Sequence, residues 1–380
     1  MNIISKLPQT ETSIFAIMSG LANRHNAINL SQGFPDFAIS QELIDRIHQK
    51  MNEGFNQYAP MPGTISIRQR IAGKMKSLYN ADYDWETEIT LTAGATQALY
   101  TAITAFINPG DEAILFEPAY DSYKPAVEIN GGIVRPISVY APNFKIDWNK
   151  VKDTINTHTK LIIVNTPNNP TGSLLQKEDF LALQEITRNT NIVVISDEVY
   201  EHIIFDGYQH QSAALFPELA ERTILTYSFG KTFHATGWKL GYAIAPRKLM
   251  NEFRKIHQFI VFTVNTPIQL AIAEYMEEPE NYLKLPAFYQ KKRDFFINAI
   301  KDSKFNPVNC YGTYFQLVDY SEISDLPELE FAKLLTEKYG VASIPIAPFY
   351  HDRRNQHLLR FCFAKTEDTL KKAGEILSSI

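Results

Sequence analysis

The chain has 380 residues, 45% hydrophobic and 21% charged, a globular composition that excludes disordered and fibrous architectures. A net charge of -5 argues against nucleic acid or an anionic membrane as partner, because phosphate is held by clustered Lys and Arg in excess, and leaves small-molecule chemistry as the default. Only two cysteines occur, Cys310 and Cys362, far from any CxxC pattern, so neither a disulfide framework nor a metal site is expected, and a reducing cytoplasm is the natural compartment.

The first residues lack an apolar run of signal-peptide length and are expected to stay in the mature protein. No segment approaches the roughly 20 apolar residues that span a bilayer. From about residue 89, short apolar runs alternate with longer amphipathic ones, the pattern of an α/β chain with a mostly parallel sheet. Seven strands are expected, at Ile89–Thr92, Ala113–Phe116, Ile133–Val139, Leu161–Asn165, Ile192–Ser196, Ile224–Ser228 and Tyr242–Ala245. Several are apolar on both faces, so helices should cover both sides. A helix over Thr96–Ile107 places Leu99, Ile103 and Phe106 on one face, and Asn108-Pro109-Gly110 ends it. The character changes near Met276-Glu277-Glu278-Pro279, where a smaller α+β domain begins. It should hold a strand within Gly312–Val318, a helix over Phe331–Tyr339 stopping at Gly340, strands at Ala342–Ile344 and Leu358–Phe363, and a last helix from Glu367.

Ligands of open α/β sheets bind beyond the carboxyl ends of the strands, so the polar residues that follow each strand are the candidate site groups. Thr92-Ala93-Gly94-Ala95-Thr96 opens a helix, and its glycine and free N–H groups suit an anion, although plain packing or capping also explains small residues there. Ser196-Asp197-Glu198-Val199-Tyr200 carries a carboxylate out of an apolar strand. That carboxylate needs a cation, either a protonated cofactor ring nitrogen or a partner in an ordinary salt bridge or helix cap. Ser228-Phe229-Gly230-Lys231 places an amine after the next strand, where it is either a solvated charge or a desolvated nucleophile and base. Taken together these strand ends describe a pyridoxal 5'-phosphate site: a Schiff-base lysine, a carboxylate for the pyridinium and a phosphate cradle. No GxGxxG after a strand, GxxxxGK[ST] or HExxH competes.

Eight motifs in order then resemble a class I, fold-type I aminotransferase of the branch that holds kynurenine/glutamine transaminases and bacterial methionine aminotransferases. They are Ser31-Gln32-Gly33-Phe34-Pro35-Asp36, Asn56-Gln57-Tyr58, Thr92-Ala93-Gly94-Ala95, Glu117-Pro118-Ala119-Tyr120-Asp121, Asn165-Thr166-Pro167-Asn168-Asn169-Pro170, Ser196-Asp197-Glu198-Val199-Tyr200, Ser228-Phe229-Gly230-Lys231 and Arg360-Phe361-Cys362-Phe363. The resemblance implies a fold-type I transferase with a large cofactor domain over residues 41–280, and a small domain with an N-terminal arm over 1–40 and 281–380. It also implies that Lys231 holds the cofactor and shuttles the substrate proton, that Asp197 pairs with the pyridinium, and that Asn169 and Tyr200 bond the cofactor's phenolate oxygen. Gly94, Ala95, Thr96, Ser228 and Lys239 would hold the phosphate, and Tyr120 would stack on the ring. Arg360, with Asn169 and the Gly33 N–H, would clamp the substrate carboxylate, a surface ion pair being the alternative for Arg360. Tyr58 would reach the phosphate of a neighbouring subunit, so a homodimer with shared active sites is expected.

Gln258–Asn265 resembles the segment that lines the partner's side-chain pocket, and it carries no cation. With Phe15, Tyr120 and Phe262 as walls, that pocket should favour methionine, phenylalanine, tyrosine, leucine or glutamine over aspartate, with kynurenine also open. The expected reaction is ping-pong transfer of the amino group to a 2-oxo acid. The alternatives are β-elimination from cysteine S-conjugates on the same cofactor and a non-catalytic ligand-binding regulator.

Overall fold

The computed structural model describes residues 1, 3–8 and 10–380. In chain order its strands are β1 (Ile28–Asn29), β2 (Ile89–Thr92), β3 (Glu112–Glu117), β4 (Ile133–Ser138), β5 (Thr159–Asn165), β6 (Val193–Asp197), β7 (Thr223–Ser228), β8 (Gly241–Ile244), β9 (Asn306–Pro307), β10 (Phe315–Asp319), β11 (Val341–Ala342), β12 (Ile344–Pro345) and β13 (Leu358–Cys362). The strands from β2 to β8 form one sheet in the order β2-β8-β7-β6-β5-β3-β4. All seven expected strands are present, with ends displaced by about two residues at most. The sheet is mostly parallel as expected, because only β8 runs antiparallel, to both β2 and β7.

Burial explains the runs that lack alternation. On one side Ile163, Ile195, Ile224 and Ala243 meet Ala98, Leu99, Ala102 and Ile103 of the helix Gly94–Phe106, and Leu249, Met250 and Phe253 of the helix Arg247–Ile260 join them. On the other side Ile162, Val164, Val194 and Leu225 face a second apolar cluster. Strands covered twice have no solvent side on which polar residues would be favoured. The outer strand β4 differs: it is half exposed and holds Arg135 and Pro136, and an imino residue is tolerated where a strand has a neighbour on one side only.

A second sheet, β12-β13-β10-β9, is antiparallel and sets Arg360 opposite Leu317 on one side and Ile344 on the other. The helix Glu328–Tyr339 ends at Gly340, whose φ of 78° is the left-handed C-cap that glycine adopts without strain. A parallel ladder of β1 with β11 ties the start of the chain to its last third. No helix among the described residues is long and apolar enough to cross a membrane.

Candidate active site

The parallel strands deliver their last residues to one end of the sheet, where β5 ends in Asn165, β6 in Asp197 and β7 in Ser228. A cavity of about 170 Å³ opens there. Its wall includes Gly94, Ala95, Thr96, Tyr120, Asn169, Asp197, Tyr200, Ser228, Lys231 and Lys239, so ten of the residues singled out from sequence meet in one place.

Asp197 is buried and accepts a 2.6 Å hydrogen bond from the Tyr123 hydroxyl and a longer one, 3.4 Å, from the Val199 N–H. It makes no salt bridge among the described residues. Burial raises its carboxyl to about 6, against the opposing pull of those two donors and of Lys231. Its main chain is fixed too, since Asn165 Nδ2 donates to the Asp197 carbonyl at 2.8 Å while Asn165 Oδ1 accepts from the Asn169 N–H at 2.8 Å.

Lys231 faces the same cavity. Loss of solvation lowers its ammonium to about 8, and the nearby Arg360 and Lys239 cations add to that effect. Its Nζ donates to the Tyr314 hydroxyl at 2.7 Å, and that hydroxyl donates to the Gly33 carbonyl at 2.6 Å.

Across the site the helix Gly94–Phe106 begins at Gly94 with a φ of 75°, and no side chain caps its first turn. A Cβ on Gly94 would lie 3.3 Å from Lys239 Nζ, which places that ammonium against the helix start. An uncapped helix N-terminus beside a lysine is a strong local field for an anion.

Arg360 is wholly buried, which removes the surface ion pair as an explanation. It donates to Asn169 Oδ1 at 2.8 Å and to the Ser31 carbonyl at 3.0 Å, while its Nε has no partner. The guanidinium lies 3.8 Å from the ring centre of Phe315 and 5.0 Å from that of Phe15. Burial lowers it to about 10, so it remains a cation at neutral pH. A desolvated cation with one unsatisfied donor calls for a carboxylate.

Two expected residues lie elsewhere in this subunit. Tyr58 and Phe262 are exposed, at 83% and 46%, and pack edge to face on each other with centroids 5.6 Å apart. Tyr58 borders an open groove lined by Asn56, Gln57 and Thr263–Pro267, and neither residue lines the Lys231 cavity. Sequence reasoning missed Tyr123, Asn165 and Tyr314. Tyr123 sits two residues beyond Asp121 in a motif already singled out, whereas nothing near Tyr314 in the chain points to a lysine 83 positions away.

Residues 25–377 match the family described as aminotransferase class I and II. The chain is 49% identical to the methionine aminotransferase of Escherichia coli (strain K12), over 99% of this chain and 98% of that one. It is 32% identical to human kynurenine--oxoglutarate transaminase 1, over 94% and 93%. Among solved structures, one identified as an Escherichia coli methionine aminotransferase superposes with a TM-score of 0.98 at 48% identity, covering all of both chains. The N-succinyldiaminopimelate aminotransferase of Mycobacterium tuberculosis gives 0.95 at 36%, again over both whole chains. With a fold, a cavity and a family match that agree over nearly its whole length, the chain belongs to the class I and II aminotransferases, a pyridoxal-phosphate-dependent family of enzymes.

Proposed function

We propose that this enzyme moves the amino group of an apolar, aromatic or sulfur-containing amino acid to a 2-oxo acid in two half-reactions, with methionine and phenylalanine as leading donors and glutamine or kynurenine as further ones. The observation that carries the reading is the pairing of a desolvated lysine amine in the cavity with a buried arginine that is bonded to the cavity-lining Asn169 and whose Nε has no partner. The residues present fit pyridoxal 5'-phosphate. The uncapped start of the helix Gly94–Phe106, with Ser228 and Lys239, suits the phosphate, and Asp197, held without a cation, suits a protonated ring nitrogen. Tyr120 and Tyr200 line the same space, as ring-stacking and phenolate-bonding groups would.

When bound, that cofactor supplies the electron sink that weakens the Cα–H bond of an amino acid. Arg360 binds the substrate carboxylate through a charge-assisted pair, and Asn169, already fixed to Arg360, completes the clamp with the Gly33 N–H. The rings of Phe15 and Phe315 hold the guanidinium plane and keep water from it. Lys231 Nζ would take the proton from Cα and deliver it to the cofactor's C4' carbon in the amino-acid half, and the transfer would run in reverse in the oxo-acid half. Its depressed pKa keeps a usable fraction of neutral amine near pH 7 to 8.

The exposed pair Tyr58 and Phe262 supports a homodimer in which this face completes the site of a second copy. A cytoplasmic location accords with two free, buried cysteines. The test of donor class is an absorbance titration of the cofactor-loaded protein with methionine, phenylalanine, glutamine or aspartate, without oxo acid. Conversion to the amine form of the cofactor by methionine or phenylalanine, and only weakly by aspartate, is expected. Equal conversion by aspartate would overturn the apolar pocket.

A further inference from the structure

Tyr314 is fully buried at the start of β10, and its ring is locked by Tyr200, Tyr289 and Phe315, with centroids 5.2, 5.8 and 4.8 Å away. Its single hydroxyl proton is committed to the Gly33 carbonyl at 2.6 Å. Toward Lys231 it therefore presents only a lone pair, which accepts from Nζ at 2.7 Å. The second acceptor near Nζ is the Gly33 carbonyl itself, at a long 3.5 Å. A neutral amine has two N–H bonds and one lone pair. With both N–H bonds directed at Tyr314 and Gly33, the lone pair is left for the cavity, where the Cα proton must be collected.

Resting on the reading of Lys231 as the proton carrier, we propose that Tyr314 is a positioning residue: it berths the free Lys231 amine so that its lone pair points at the substrate Cα. No bond to Tyr314 forms or breaks; the proton passes from Cα to the Lys231 lone pair and would be handed on from Nζ to the cofactor's C4' carbon in the same half-reaction. The berth also joins the lysine to Gly33, so the amine is ordered by the same segment whose N–H is assigned to the substrate carboxylate. The titratable and charged groups around Nζ are Asp197, Lys239, Arg360, Cys362, Tyr200 and Tyr314, and only the last is bonded to it.

The test uses Tyr314→Phe, which keeps the ring and removes the hydroxyl, with cofactor affinity serving as the check on folding. Cofactor-free protein is mixed with pyridoxal 5'-phosphate across a pH range, and the rate of lysine attachment is followed by absorbance. Attachment needs neutral amine, and an oxygen acceptor favours the ammonium, so the midpoint should fall by about one pH unit in the variant. The methionine half-reaction, followed in single turnover, should slow about tenfold or more across the same range. A variant with an unchanged midpoint and an unchanged half-reaction overturns the proposal. As a second measurement, Tyr314→Phe is added to Lys231→Ala, and the slow residual half-reaction is compared with that of Lys231→Ala alone. A residue that acts only through Lys231 should then cause no further loss, and a further loss of tenfold would overturn the berth. Attachment of cofactor to the unaltered protein tests the reading of the site by itself, so the two failures are distinguishable.

Discussion

Three buried ionisable groups carry the proposed chemistry, and burial shifts each of them toward its neutral form. Replacing Lys231 with Ala should lower steady-state transamination by about 1,000-fold or more, with the protein still folded, because the other amine lining the cavity, Lys239, lies against the start of the helix Gly94–Phe106, where the phosphate would be held. Arg360→Ala should raise KM for both amino and oxo acids by about 100-fold with a smaller change in kcat, as loss of a charge-assisted pair predicts. Steady-state kinetics with methionine and its oxo-acid partner separates the two parameters.

Asp197 makes a prediction of a different kind. Its folded-state pKa is raised to about 6, so the folded protein binds more protons than the unfolded chain between the ordinary carboxylate range and that value. Stability from this group is complete below about 4 and declines as pH rises through about 6. Cofactor-free Asp197→Asn should therefore melt a few degrees higher than the unaltered protein at pH 7, with the difference vanishing near pH 4, while its cofactor affinity falls. Thermal melts of both proteins at those two pH values decide it; a lower melting temperature for the variant at pH 7 would show that the carboxylate is stabilising as an ion.

At the scale of elements, a single carboxylate organises the connection into β13. Glu328, at the start of the helix Glu328–Tyr339, accepts from the Ile346 N–H at 2.7 Å and from that of Ala347, and its other oxygen accepts from Gln356 and Leu358 at 2.9 and 3.1 Å. These donors bracket the loop that follows β12, and Leu358 is two residues from Arg360. Burial raises the Glu328 carboxyl although all four N–H groups oppose that shift. Glu328→Ala leaves four N–H donors without this partner, two of them buried, and should cost about 3 kcal/mol of stability. It should also raise KM through displacement of Arg360, which denaturant unfolding and kinetics on the same preparation would show. A variant as stable as the parent would mean that water replaces the carboxylate. The elements themselves were largely legible: Val- and Ile-rich runs and the Gly340 stop are local signals that burial on both faces and a left-handed cap explain.

For the whole molecule, the exposed face bearing Tyr58, Phe259 (86% exposed) and Phe262 matters most. An apolar cluster of that exposure beside the proposed phosphate-reaching tyrosine is the face expected to meet a second copy. Mixed and re-equilibrated Lys231→Ala and Tyr58→Ala proteins should form hybrids in which one site carries both defects and the other neither. Activity well above either parent is then expected, and its absence after verified exchange would place Tyr58 outside the partner's site.

Read alone, the sequence determined the α/β class, the seven strands and the polar groups at their ends, because period, turn chemistry and a charge beside an apolar run are properties of neighbouring residues. It also displayed Lys231, Asp197 and Arg360 as charges that would be costly without partners. Only the tertiary structure decided which partners those are. Tyr123 reaches Asp197 across 74 positions, Asn169 reaches Arg360 across 191, and Tyr314 meets Lys231 and Gly33 from another sheet. Such pairings follow from strand order and from how the second sheet packs on the first, and both depend on burying apolar surface distributed over the whole chain.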